Sequence, residues 1–296
     1  MFLLKFLALL SSLILGVKLC AGKTDITVEG LDCNCDVDIE IVKRVLEKLE
    51  KIEKRVEHTY SRNEIIQEEV AKMKTNMPRS CLEATAATSK SGIYKIQVGS
   101  LSETPFEVWC DQDTDFGGWT VIQRRVSADV DFYRNWTDYK VGFGNLADNY
   151  WIGLDKLHAL TISCEHELYI KIETSDGVKY YAKYSIFVVG SEAEDFVLKT
   201  VGDYKGDAED ILKYNEGSKF STYDRDNDQK DNRNCAKIDR GAWWYHRCYL
   251  SNLNGDYTES NSGQGILWIG MNRSKSLKFV QMMIRPTQAC MKSLKK

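Results

Sequence analysis

A loop-rich α+β domain, braced by disulfides and preceded by an α-helical coiled coil, is the fold class this 296-residue chain predicts. Three observations carry that expectation. A seven-residue apolar repeat runs from Val42 to Met77. Beyond Cys81, short β-prone runs alternate with Gly, Asn and Asp turns. A polar loop from Asp224 to Cys235 has carboxylates at alternate positions, Asp224, Asp226 and Asp228, and meets a second cysteine at Cys248.

At the N-terminus, Lys5 precedes an apolar run from Phe6 to Val17, with small residues at Ala21 and Gly22. This predicts a cleaved secretory signal over residues 1–22, since the run is too short for a bilayer span. An uncleaved anchor is the competing reading. No later apolar segment is long enough to cross a membrane. Cleavage removes Lys5, Lys18 and Cys20, taking the formal net charge from −3 to −5 and leaving eight of nine cysteines. An even set suits an oxidising compartment, and sequence alone allows 105 pairings of eight. The balanced charge carries no footprint for nucleic acid.

After a segment 23–36 that holds Cys33 and Cys35, a coiled coil is expected over 37–77. Position a holds Val42, Leu49, Val56, Asn63, Val70 and Met77, and position d holds Val45, Ile52, Thr59, Ile66 and Met73. About five heptads argue for a coil over a lone amphipathic helix folded onto the head. Lys48 with Glu53, and Glu69 with Lys74, support the register at g and e. Asn63 and Thr59 interrupt the seam, and a buried Asn fixes register at a cost in stability. The same register places Cys35 at an a position, facing a partner helix. Pro78 ends the helix, having no amide donor.

In the head, residues 78–296, strands are expected at Glu107–Cys110, Trp119–Gln123 and Glu167–Glu173, and a short helix at Asp155–Leu160. The acidic loop offers several hard oxygens to one point, which is what Ca²⁺ needs. It is not an EF-hand: counting from Asp224, Gln229 and Cys235 stand where Gly and Glu are required. A solvated acidic turn is the bland alternative.

The head resembles the fibrinogen C-terminal domain family over roughly Cys81 to Pro286. The resemblance rests on Ser91-Gly-Ile-Tyr94, Pro105-Phe-Glu-Val-Trp-Cys-Asp111, Gly117-Gly-Trp-Thr-Val-Ile-Gln-Arg-Arg125 and Asp131-Phe-Tyr-Arg-Asn-Trp136. It continues through Tyr139-Lys-Val-Gly-Phe-Gly-Asn145, Tyr150-Trp-Ile-Gly-Leu154, Phe220-Ser-Thr, Asn234-Cys-Ala, Trp243-Trp, Ser251-Asn-Leu-Asn-Gly255 and Met283-Ile-Arg-Pro286. It implies the pairs Cys81–Cys110 and Cys235–Cys248. We expect Cys33 and Cys35 to join chains and Cys164 to pair with Cys290, the last without a spacing argument.

The resemblance also implies a Ca²⁺ ion on the Asp226 and Asp228 side chains and the Lys230 and Asn232 carbonyls. This chain has one residue more than the family pattern before Cys235, so the carbonyls are subject to a one-residue shift. A ligand pocket is implied beside the loop, shaped by a cis peptide at Arg247–Cys248. Its lining departs from the lectin pattern: Tyr249 stands for a His, Ser262 before Gly263 and Lys275 stand for aromatics, and Asp239 stands for a Tyr. Acetylated sugars, other glycans and a protein epitope all stay open as ligands.

Trp119, Trp136, Trp151, Trp243, Trp244 and Trp268 form either a core or a sugar-stacking platform, and core packing is the stronger expectation. His58, His158, His166 and His246 lie in no metalloprotease or nucleophile motif, so no enzyme is expected. Asn135-Trp-Thr and Asn272-Arg-Ser are acceptors for N-glycosylation. With the resemblance, these features lead us to expect a secreted, oligomeric, calcium-dependent recognition protein, and the resemblance implies that it is lectin-like and serves innate immunity on microbial or cell surfaces. The alternative is a signalling ligand, similar to angiopoietins, that binds a receptor protein. A clot-forming role would need polymerisation or crosslinking tails, and Lys292-Ser-Leu-Lys-Lys296 shows no sign of them.

Overall fold

The structure is a computed structural model, and it describes residues 39–75, 77–98, 104–258, 263–270 and 276–293. The signal segment, Cys33, Cys35, Ser262, Asn272 and Lys275 lie outside the described residues. The chain divides into two compact units, Met1–Lys72 and Met73–Lys296.

The first unit is described by a helix, α1 (Ile39–Thr75). Four of its described seam residues lie open to solvent: Val45, Ile52, Val56 and Ile66 are each about half exposed. Leu46 and Tyr60 widen the uncovered stripe. A surface helix normally buries its apolar stripe against another element.

The second unit opens with α2 (Cys81–Ala84), capped by Ser80, whose Oγ accepts from Glu83 N. Strands β1 (Gly92–Ile96), β2 (Phe106–Asp111) and β3 (Trp119–Arg125) follow. Helix α3 (Trp136–Val141), β4 (Phe143–Gly144), β5 (Tyr150–Trp151) and α4 (Leu154–Ser163) lead to β6 (His166–Glu173) and β7 (Lys179–Tyr184). Then come β8 (Phe187–Val189), β9 (Leu198–Val201), β10 (Tyr204–Gly206) and α5 (Cys235–Ile238). The series closes with β11 (Ser251–Asn252), β12 (Leu267–Trp268), β13 (Phe279–Pro286) and α6 (Gln288–Ser293).

The main antiparallel sheet runs β1-β2-β3-β13-β6-β7-β10, with β5 continuing along β3 and carrying β4. The expected strands fall within β2, β3 and β6. The expected helix is longer at both ends, because Gly153 enters it at φ 97° and the Thr161 hydroxyl bonds back to Leu157 O. In β6 the alternation is plain: Leu168, Ile170 and Ile172 enter the main core, and Glu167, Tyr169, Lys171 and Glu173 face the other way. On that second face a small cluster forms from Trp119, Val121 and Met283, flanked by Trp109 and Tyr169.

Three disulfides brace the head. Cys81–Cys110 ties α2 to β2, Cys164–Cys290 ties the end of α4 to α6, and Cys235–Cys248 ties the start of α5 to a residue 13 positions further on. Their Cα separations, 5.3, 5.5 and 5.4 Å, sit in the usual range.

Candidate functional site

The acidic loop leaves the core at Phe220, which is fully buried and packs on Trp151 and Trp244 with ring centroids 6.0 and 5.2 Å apart. Ser221 and Trp243 exchange backbone bonds, which anchors the start of the loop. Thr222 and Arg225 then close a turn on each other. Within it Asp224 has a structural task. Its Oδ1 accepts from the Trp136 amide at 2.9 Å and the Thr222 hydroxyl at 2.7 Å, so it holds the start of α3.

Asp226 and Asp228 lie beyond that turn. Asp228 Oδ1 accepts from Lys230 N and Oδ2 from Cys235 N, both at 2.8 Å. Burial pushes its carboxyl above the ordinary range, and the adjacent Asp226 carboxylate adds to that rise. Two carboxylates crowded this way, with Asn232 reversing the backbone at φ 60°, form a donor set that suits a hard cation. The crowded carboxylates fit the implied calcium, and Asp226 and Asp228 are the side chains that would hold it.

The loop is joined to the segment around Cys248 at two points. Gln229 N donates to His246 O at 3.0 Å, and Cys235 is disulfide-bonded to Cys248. The Arg247–Cys248 peptide is cis. Beyond it, the Tyr249 hydroxyl donates to Gly263 O. Burial raises that phenol to about 12, helped by Asp239.

Asp239, at the end of α5, is 8% exposed, and its Oδ2 has no hydrogen-bond partner. It lies close to the Cys235 and Cys248 sulfurs, but those sulfurs are bonded to each other, so no metal set forms there. Burial pushes the Asp239 carboxyl up to about 7, the Asp228 charge adds to the rise, and Lys230 opposes it. The structure thus brings together the loop, Cys248, Tyr249, Gly263 and Asp239.

A polar framework that sequence reasoning missed supports this region. Asn252 accepts from Tyr245 OH at 2.9 Å and donates to Asp239 O at 3.0 Å. Asn254 donates to Ala242 O, and Gln123 donates to Leu253 O and Asn254 Oδ1. Arg125, 1% exposed, donates to Gly255 O at 2.7 Å and lies 3.8 Å over the Phe132 ring. The available signal was the polar run Gln123-Arg-Arg125 ending a strand buried along its whole length.

The tryptophans resolve into packing. Trp119, Trp151, Trp243, Trp244 and Trp268 are fully buried and Trp136 is 7% exposed, so these six supply no sugar-stacking face. Histidine Nδ1 atoms in the head meet local partners: His158 at Val189 O, His166 at Cys164 O and His246 at Tyr214 OH. Asn135 caps α3, its Oδ1 accepting from Asp138 N at 2.8 Å. Asn135→Asp is expected to keep this cap while losing the sequon, whereas Asn135→Ala loses both and costs a further ~1 kcal/mol of stability. Intact mass and thermal unfolding of the secreted variants check the two effects separately.

A family model described as the C-terminal globular domain of fibrinogen beta and gamma chains matches residues 77–287. The protein belongs to this family, whose members are recognition modules and not enzymes. Tenascin-R of Gallus gallus is 46% identical over 199 residues, 66% of this chain but 14% of that protein's length. Fibrinogen-like protein A of Apostichopus parvimensis is 40% identical over 218 residues, covering 70% of this chain and 75% of that one. Among solved structures, the fibrinogen-like globe domain of human ANGPTL2 aligns with a TM-score of 0.67 at 40% identity, over 71% of this chain and 99% of that domain. Among the described residues, no helix is long and apolar enough to cross a membrane.

Proposed function

We propose that this protein is a secreted, homo-oligomeric, calcium-dependent recognition protein that binds glycans, acetylated ones among them, on microbial or cell surfaces in innate immunity. The observation that carries the reading is the double tie between the Asp226–Asp228 loop and the Cys248 segment. Asp228 holds the Cys235 amide, Cys235 is bonded to Cys248, and Gln229 reaches His246. Bound calcium would supply the positive charge that these crowded carboxylates lack. Asp226 and Asp228 then fix the loop, and the loop fixes Cys248 and Tyr249. Ligand contacts fall to Tyr249, Gly263 and Asp239, with Arg247, Ser262 and Lys275 expected around them.

The coil brings several heads to one surface, so individually weak sites gain avidity without any new contact. The uncovered stripe on α1 supports that assembly. Cys33 and Cys35 would lock it, and Asn135 and Asn272 would carry glycans.

A second reading, a receptor-binding ligand, is favoured by Asp239. A buried carboxylate with an unpartnered oxygen suits a cationic or hydrogen-bond-donating group better than an acetyl methyl. Competition separates the two readings. Free acetylated sugar in excess displaces the protein from a glycan surface on the first reading and has no effect on receptor capture on the second.

Asp239 also sets a pH dependence. Its folded value, about 7, is raised above the ordinary 3.8. The stability it contributes is therefore full below pH ~4 and is lost as pH rises toward 7. In chelator, Asp239→Asn is expected to flatten this fall, which amounts to about 2–4 kcal/mol across the window. Denaturant unfolding from pH 4 to 8 checks it, and parallel curves for parent and variant would count against the assignment.

A further inference from the structure

The residues that separate the carboxylates of the acidic loop are more than spacers. Asp224 and Asp226 are exposed, whereas Arg225 and Asn227, which alternate with them, are half-buried. Each of these two side chains reaches back to the body of the head.

Asn227 stands between the two candidate calcium ligands. Its Nδ2 donates to Phe220 O at 2.8 Å, and its backbone N–H donates to the Ser221 hydroxyl at 3.0 Å. Both acceptors belong to residues with no solvent exposure, and Ser221 is paired through its backbone with Trp243. The backbone that links Asp226 to Asp228 is thereby tied across the loop to its stem.

Arg225 precedes Asp226. Its guanidinium lies 4.0 Å over the Trp136 ring, and its Nη2 donates to Asp195 Oδ1 at 2.5 Å. Asp195 belongs to the connection between β8 and β9 and is itself fixed. Its Oδ2 accepts from Lys219 Nζ at 2.8 Å and its carbonyl from Phe220 N at 3.0 Å. The next residue, Phe196, is fully buried, and its carbonyl accepts from Trp244 Nε1. Arg225 therefore fastens the loop to a firm part of the head, 30 residues away in sequence.

Like charges repel, so a loose loop would let Asp226 and Asp228 part. The backbone has to be held while they converge. The bonds from Lys230 N and Cys235 N to Asp228 hold it on one side. We propose that Asn227 and Arg225 are positioning residues of the calcium loop, which hold the backbone on both sides of Asp226 so that its carboxylate meets that of Asp228. All of these bonds lie within the protein, so the cost of crowding falls on folding and not on binding. Groups that orient metal ligands in this way set affinity without touching the ion. The inference rests on the calcium reading above and adds to it the residues that tune the site.

The test is calorimetric titration of Ca²⁺ into the full-length protein, first stripped with chelator, at a temperature well below the melting of every variant. Arg225→Gln and Asn227→Ala are each expected to weaken calcium binding about 10- to 100-fold. Asp195→Asn is expected to match Arg225→Gln, and the two together to weaken binding no further than one alone, because they break a single link. Melting in chelator establishes that each variant is folded. The Arg225 side chain is 39% exposed, so Arg225→Gln keeps the test open if Asn227→Ala does not fold. A merely structural role would lower melting and leave the dissociation constant where it was. A parent-like dissociation constant in a folded variant therefore overturns the positioning role of that residue, and losses that multiply in the double variant overturn the Asp195 link; both results leave the calcium site standing. A parent protein that takes up no Ca²⁺ overturns the site and the inference together.

Discussion

Replacing Asp226 and Asp228 together by alanine is expected to abolish the calcium-dependent part of the head's thermal stability. A ligand present at a hundredfold excess over its dissociation constant stabilises the folded state by about 2.7 kcal/mol. For a domain of this size that is about 5–10 °C in melting temperature. The parent should show this gap between calcium and chelator, and the double variant should show none. Asp228 also bonds the Lys230 and Cys235 amides, so its loss lowers the calcium-free melting temperature as well, by ~1 kcal/mol for each bond. The decisive quantity is therefore the gap and not the absolute value. Differential scanning calorimetry in calcium and in chelator measures it, and equal gaps in the two proteins would rule the site out. Asp224→Ala serves as a contrast. It frees the Trp136 amide and should destabilise the start of α3 without closing the calcium gap.

The second large effect lies in the stalk. Ile52 and Ile66 occupy d positions on the uncovered stripe of α1 and are 54% and 48% exposed in a single protomer. Changing both to aspartate puts a charge into two layers of the seam, where burial of an unpaired charge is heavily penalised. The protomers should separate unless cysteines hold them, and the test is made in reducing buffer mild enough to leave the head disulfides intact. Capture by a multivalent surface is expected to fall 10²- to 10⁴-fold, while the affinity of a single head for soluble ligand stays constant. Light scattering reports the assembly and surface capture reports the avidity. Unchanged capture by a protein shown to be monomeric would exclude avidity as the mechanism.

Some of this architecture was legible in the residues and some was not, for physical reasons. The stalk helix shows because its period is written directly into Val42, Leu49 and Val56. The strands β2, β3 and β6 show because alternation and β-branching follow from which side chains face the core. The order β3-β13-β6 does not show, because the partners of Met282 are Gln123 and Ile170, each more than a hundred residues away, and periodicity says nothing about partners. The acidic loop was conspicuous, but residue type alone could not divide its carboxylates. Asp224 belongs to α3 because its oxygen meets Trp136 across 88 residues. Asp239 stood out only as a departure from a lectin pattern, and its buried, unpartnered oxygen came from the fold around α5.

The most direct test of the central claim is binding of the full-length secreted protein to an array of acetylated and non-acetylated glycans, in calcium and in chelator, with the Asp226→Ala, Asp228→Ala variant alongside. The account predicts calcium-dependent capture by glycans that free sugar displaces and that the double variant loses. A folded, oligomeric, calcium-loaded protein that captures no glycan under any of these conditions would contradict it.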